Sequence, residues 1–396
     1  MTLAATTDES PMPTLTRSSR MAQVEVLHRF EEAEPLWRSF ENANHLYTPF
    51  QRYDFLSAWQ RQVGSREGVA PYVVAGLDAA RQPLLLLPLG IQSENGLQVA
   101  SFLGGKHATF NMPLVHRAYA ANAGRADVDA AIAMLRRRAD RPDLLSLARQ
   151  PRTWEGIANP LARLPGQPAI TGCPLLKLAP GARPEERISN SMRKRLRSKE
   201  RKLQATAGYR YTIARSDADI QRVLDAFFVI KPLRMAAQKL PNVFADTGVR
   251  EFVFDACLSR QPSGGRTVDI HALECDDELI AVFAGVADGH RFSMMFNTYT
   301  VSGLARYSPG LILLRNIIDH YAERGYTAID LGIGTDDYKR MFCKNDEPLF
   351  DSFLPLGAKG SVAALGLSSL GHAKRLVKRS PALSQVAQLL RGTLQR

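Results

Sequence analysis

The chain has 396 residues, 45% of them hydrophobic, which is enough for two or three domains with real cores and excludes a disordered chain. Its formal charge of +12 and pI near 9.7 call for an anionic partner: nucleic acid, a membrane surface or a phosphorylated ligand. Four widely spaced cysteines, Cys173, Cys257, Cys275 and Cys343, exclude a disulfide scaffold and a paired metal site, and no stretch is long and apolar enough to span a bilayer.

Residues 1–22 are polar, with two prolines and no apolar period, and are expected to form a disordered leader without a signal-peptide core. From Val24 the pattern becomes regular. A short strand over 24–27, helices over 35–43 and 53–62, and strands over 70–77, 83–89 and 98–103 are predicted, then a helix over 126–140 and a strand over 144–147. Lys106, His107 and Asn111 after the Gly104-Gly105 pair, with Asp54, fit a polar pocket or ordinary loop chemistry equally well. Residues 151–186 are rich in proline and glycine and read as loop.

A strongly basic helix is predicted over 191–203, where Met192, Leu196 and Leu203 form a thin apolar stripe and Ser189 or Asn190 supplies a cap. It fits a solvated connector and a phosphate-binding face equally. A strand over 209–214, a helix over 217–239 interrupted near Pro232, and a helix over 249–259 follow. Three runs over 268–275, 279–287 and 291–299, joined by tight acidic or glycine turns, predict an antiparallel meander. The last strand is expected over 349–355, and residues 361–396 form an apolar-basic helical tail with Leu365, Leu367, Leu370, Lys374 and Arg375.

The site is expected between residues 306 and 342. Tyr307-Ser308-Pro309-Gly310 leads into a leucine-rich helix, with Ser308 as N-cap and proline at the first helical position, and such a helix start suits a phosphate. The strand Ile329-Asp330-Leu331 then places a carboxylate in an apolar run, Gly332 and Gly334 admit close approach, and Tyr338 lies a turn into the next helix. Asp330 and Tyr338 suit a cleft wall, and equally a loop hydrogen bond and an amphipathic core position.

These motifs in this order resemble the CelD-like acetyltransferases of exopolysaccharide and cellulose biosynthesis, within the GNAT fold and related to the FemAB peptidyltransferases. Tyr47-Thr48-Pro49-Phe50, Leu84 to Leu89 and Phe102-Leu103-Gly104 extend the resemblance to the first half. It implies an α+β chain of two tandem GNAT-like domains, with mixed, largely antiparallel sheets flanked by helices. The expected division is a leader over 1–22, a domain over 23–186, a basic linker helix over 187–206, an acyltransferase domain over 207–360 and the tail.

The resemblance further implies an acyl-CoA donor, acetyl-CoA in the expected case, held by Phe296, Asn297, Arg306, Ser308, Gly310 and Leu311. Pro309 removes one amide donor from that helix start. Tyr338 takes the place of the general acid, with Asp330 as base or acceptor-binding group and His271 and His320 as weaker bases. Arg234, Gly332, Gly334 and Lys339 are assigned to the acceptor, and no metal is required.

The favoured function is acyl transfer to an amino or hydroxyl group on a saccharide or its lipid-linked precursor, in the cytoplasm or at the inner face of the membrane. The basic helix and the tail would then meet an anionic membrane surface. The alternatives are a FemAB-type transferase taking its donor from tRNA and extending a peptidoglycan precursor, and a non-catalytic GNAT-like binding protein. In the first of these the basic helix tracks RNA phosphates.

Overall fold

The computed structural model describes residues 19–379 except Ser263 and Thr335. The leader before Ser19 and the second tail helix expected near 383–394 lie outside the described residues. Two sheets carry the fold. The first, of nine strands, runs in the order Gln23–Leu27, Ala70–Leu77, Pro83–Glu94, Leu97–Phe102, Leu144–Pro151, Leu349–Pro355, Gln167–Pro168, with two short strands beside it. The second, of seven strands, runs Arg210–Ala214, Asp269–Cys275, Glu278–Ala287, Arg291–Tyr299, Ala328–Asp330, Cys173–Lys177, Asn345–Glu347.

Both sheets repeat one plan. An antiparallel meander ends in a strand that pairs in parallel with the next: Leu97–Phe102 with Leu144–Pro151, and Arg291–Tyr299 with Ala328–Asp330. A parallel pair needs a crossover, and the helices Arg125–Arg136 and Pro309–Ala322 provide it. The parallel strand in each sheet then takes its other neighbour from the opposite half of the chain. Leu349–Pro355 pairs with Leu144–Pro151, and Cys173–Lys177 pairs with Ala328–Asp330.

Neither the boundary expected at 186/187 nor that at 206/207 therefore separates the sheets. The stretch 151–186, expected as loop, supplies strands to both of them. Proline and glycine mark its ends, but Cys173, Pro174 and Leu175 are buried between two strands distant in sequence. The helix expected to break near Pro232 runs unbroken from Asp217 to Ala237 with that proline inside it.

Further bonds hold the halves together. Arg52 donates to the Ala287 carbonyl at 3.0 Å, Arg61 pairs with Asp255 at 2.9 Å, and the Arg291 guanidinium pairs with Glu347 at 2.7 Å while lying 4.3 Å over the Trp154 ring. The basic helix, Asn190–Gln204, packs on Pro309–Ala322 through Leu196 and Leu203. Arg193 is buried in a forked bond to Asp319 at 2.6 and 2.8 Å. The tail helix begins at Ala358, and its Leu365 and Leu370 are exposed. No helix among the described residues is long and apolar enough to cross a membrane.

Candidate active site

The strands Arg291–Tyr299 and Ala328–Asp330 run in register through the pair Ser293 and Asp330, then part. Two features force the separation. The register against Glu278–Ala287 shifts so that Ala284 faces Phe296 and Gly285 faces Met294, which leaves Met295 as a bulge. On the other side the chain turns at Gly332, whose φ of +68° and approach to the Met294 carbonyl, 3.1 Å from where a Cβ would stand, suit glycine.

Two adjoining cavities meet in the opening. A groove of about 670 Å³ is lined by Arg234, Phe283, Tyr299, Ser308, Gly310 and Leu311, and a chamber of about 810 Å³ lies between the two halves of the chain. Lys231, Met235, Asn297, Asp336 and Tyr338 line both and form the neck. There Asn297 Nδ2 donates to Tyr338 Oη at 2.9 Å, and Lys231 Nζ donates to the Asn297 carbonyl at 3.0 Å. Burial raises the Tyr338 phenol above its ordinary value and lowers Lys231, which Arg234 lowers further.

The groove ends on the N-terminus of Pro309–Ala322. Ser308 occupies the N-cap in a left-handed conformation, φ 58°, and its side chain makes no capping bond. Its hydroxyl instead accepts from Lys199 Nζ of the basic helix at 2.7 Å. Leu311 and Ile312 turn their amides back on the Ser308 carbonyl, so fewer free N–H groups remain than the sequence suggested. The Lys199 ammonium adds positive charge at the same place. Helix dipole, Lys199 and Arg234 together fit an anionic group in the groove.

The corresponding helix of the first half is closed to an anion. Asp127, in the first turn of Arg125–Arg136, is buried and accepts from the amides of Gly124 at 2.8 Å and Arg20 at 2.7 Å. A carboxylate of the chain itself thus holds the position that the second half leaves open.

Asp330 lines neither cavity. It is fully buried, accepts from Ser293 Oγ at 2.5 Å and the Gly332 amide at 3.1 Å, and lies 3.6 Å from Cys173 Sγ. Burial pushes its carboxyl up to about 6, against the pull of Arg291 and its own hydrogen bonds. It holds the turn at Gly332 and does not reach the cleft. Lys339 is engaged within the chain, bonding the carbonyls of Ile333 at 3.1 Å and Gly332 at 3.4 Å, and Gly334, a Cβ on which would stand 3.0 Å from its Nζ, lines neither cavity.

The remaining expected residues divide. Phe296, Gly332 and Lys339 line the chamber; Asn297 lies at the neck; Ser308, Gly310 and Leu311 line the groove. Arg234, expected at the acceptor, stands in the groove with its guanidinium 3.3 Å over the Tyr299 ring. Arg306 turns its guanidinium over Tyr307 at 4.9 Å and contributes its carbonyl to Lys199.

His271 is buried between the hydroxyls of Tyr211 and Tyr321, at 2.8 and 3.1 Å, and burial lowers it to about 3. Burial also lowers His320 to about 4, and neither histidine lines a cavity. The expected pocket of Asp54, Lys106, His107 and Asn111 is split, since Asp54 pairs with Arg38 at 2.7 Å while only Lys106 and His107 reach the chamber. His107 Nδ1 accepts from the Trp59 indole at 3.1 Å, which puts the proton of the neutral ring on Nε2 and makes it a donor. Lys231 and Lys199 escaped sequence reading. The available signal was helical spacing, which sets Lys199 three residues after Leu196 and Lys231 three before Arg234.

Residues 190–340 match the family model described as an acetyltransferase (GNAT) domain. No curated protein matches the chain. Among solved structures, FemX superposes with a TM-score of 0.54 at 11% identity over 83% of this chain and 97% of its own. A conserved protein of unknown function from Bacteroides thetaiotaomicron superposes with a TM-score of 0.51 at 12% identity, over 85% and 100%. Doubled meander, crossover helices and the matched segment together give the chain an α+β fold of two tandem GNAT-like domains, the second of which leaves the start of its crossover helix open to the groove.

Proposed function

We propose that the protein is an acyl-CoA-dependent acyltransferase of the CelD-like, exopolysaccharide type, with acetyl as the transferred group and an amino or hydroxyl group of a saccharide as acceptor. The observation that supports it most is the neck, where the Tyr338 hydroxyl stands between a groove ending on a cationic helix start and a separate chamber. The groove suits the phosphates and pantetheine arm of CoA. The chamber suits the acceptor.

In this reading the acceptor nitrogen or oxygen attacks the thioester carbonyl at the neck, the new acyl bond forms, and the carbon–sulfur bond breaks. Tyr338, a neutral phenol that burial keeps protonated, gives its proton to the departing thiolate and regains one from solvent. The Lys231 ammonium, at the Asn297 carbonyl, stabilises negative charge on the thioester oxygen. The acceptor's own proton passes to solvent in the chamber. The first half, with its own anion site filled by Asp127, serves as a wall for the acceptor.

One observation favours a second reading, in which aminoacyl-tRNA is the donor. Lys194, Arg195, Arg197, Arg201 and Lys202 are exposed on the same helix whose Lys199 reaches the groove. Calorimetry with acetyl-CoA, followed by thiol release in the presence of amino sugars, separates the two. Acetyl-CoA binding with thiol release supports the first reading; absence of acetyl-CoA binding, with aminoacyl-tRNA retained, removes it.

A further inference from the structure

The chamber beyond Tyr338 has two unlike walls. One, built from the helix Val249–Leu258 and the turn before it, presents Val243, Phe244, Phe252 and Val253. The other, from the first sheet, presents Arg149 and Asp351. The Arg149 guanidinium is held by the Gly105 carbonyl, and its backbone amide donates to Asp351 at 2.8 Å, so the polar wall is fixed in place.

Size argues against an acetyl group as the occupant, and the apolar wall argues against a bare sugar filling the whole chamber. A volume of about 810 Å³ belongs to the class of cavities that enclose drug-sized ligands, whereas an acetyl group is far smaller. A sugar ring pressed on the phenyl and isopropyl groups of that wall would strip water from hydroxyls that find no partner on it, since Lys106, His107, Thr109 and Arg149 come from the other half of the chain. At the mouth Val243, 45% exposed, extends this apolar wall toward solvent, beside the exposed charges of Lys106 and Asp336.

We propose that the chamber holds the alkyl chain of an amphiphilic acceptor, with the chain on the Val243–Val253 wall, the polar head on the Arg149–Asp351 wall and the accepting atom at Tyr338. The acceptor role rests on the acyl-transfer reading; the occupancy by an alkyl chain does not. The chain comes from the acceptor and not from the donor's acyl group.

Calorimetry on the full chain with ethyl, butyl and octyl glucosaminide tests this. Affinity should rise along the series by up to about fourfold per methylene, while acetyl-CoA and octanoyl-CoA bind alike. Val243→Asp, at an exposed position, should flatten the series and leave acetyl-CoA binding unchanged. Equal affinity for all three glucosaminides in the wild type overturns the proposal. Octanoyl-CoA binding much more tightly than acetyl-CoA, with a flat glucosaminide series, overturns it as well, because the chain would then be the donor's. A steep glucosaminide series without acetyl-CoA binding keeps the alkyl chamber and removes the transferase reading.

Discussion

Asn297 donates its side-chain amide to the hydroxyl oxygen of Tyr338 at 2.9 Å, across the gap where two parallel strands have parted. Because the oxygen accepts from Asn297, its own hydrogen is directed elsewhere, and in the structure it faces Met294 Sδ at 3.8 Å. A sulfur so placed is a weak acceptor and easily exchanged for a better one. Tyr338→Phe should remain folded, with a stability loss of about 1 kcal/mol from the missing hydrogen bond, and should bind CoA normally. Turnover should fall by about 10²- to 10⁴-fold. Near-normal turnover, measured where chemistry limits the rate, would assign the proton to solvent.

The groove makes a prediction about charge at one helix start. A Cβ on Gly310 would stand 3.3 Å from the Tyr299 ring, so Gly310→Ala measures crowding and Gly310→Asp measures crowding plus a like charge. Acetyl-CoA affinity should fall more for Asp than for Ala. Lys199→Gln removes the ammonium beside Ser308 and should weaken CoA by about tenfold or more. If calorimetry on the folded variants returns wild-type affinities, the phosphates lie elsewhere.

The basic helix separates into two populations of cations. Arg193 belongs to the fold through its buried fork to Asp319, and Arg193→Gln should destabilise the protein by about 3 kcal/mol or more. Lys194, Arg197, Arg201 and Lys202 are exposed. Their joint replacement by Gln should leave stability nearly unchanged and reduce binding to anionic vesicles, with the difference shrinking as salt rises. Retained vesicle binding combined with lost RNA binding would assign this face to RNA.

Asp330 predicts a pH dependence with a definite sign. Burial raises its folded pKa from 3.8 to about 6, so the fold favours the protonated carboxyl. Its stabilising contribution is full below about pH 4 and is lost as pH rises through 6, a difference of about 3 kcal/mol. Asp330→Asn keeps the shape and cannot ionise. Its stability relative to wild type should therefore increase between pH 4 and pH 7 in urea titrations. A difference independent of pH would mean that Asp330 titrates alike in the folded and unfolded states, and that burial does not raise it.

Much of the second sheet was legible in the sequence because its strands announce themselves. The runs 279–287 and 291–299 are apolar and bounded by Asp276-Asp277 and Asp288-Gly289, and they form the strands Glu278–Ala287 and Arg291–Tyr299. The grouping of Ser308, Gly310 and Tyr338 around one opening also followed from helix-start and strand-end chemistry. The burial of Asp330 did not, because its partners Ser293 and Cys173 arrive from strands 37 and 157 residues away. The same distance hid Cys173–Lys177 as a strand, since its neighbours exist only after the second sheet has formed. Lys199 reads in sequence as one more cation in a basic run; only packing against Pro309–Ala322 turns it toward Ser308.

The exchange of strands between the two sheets bears on how the chain is made. Arg149 and Asp351, bonded across the first sheet, are separated by 202 residues. While the ribosome is still translating the second half, the Leu144–Pro151 strand lacks its Leu349–Pro355 neighbour and presents an open apolar edge. Long-range pairing of this kind is slow, and an unpaired edge invites aggregation. The first half should thus need protection on emergence, and a chain that ends after the first sheet has formed but before residue 349 should yield less soluble product than the complete chain.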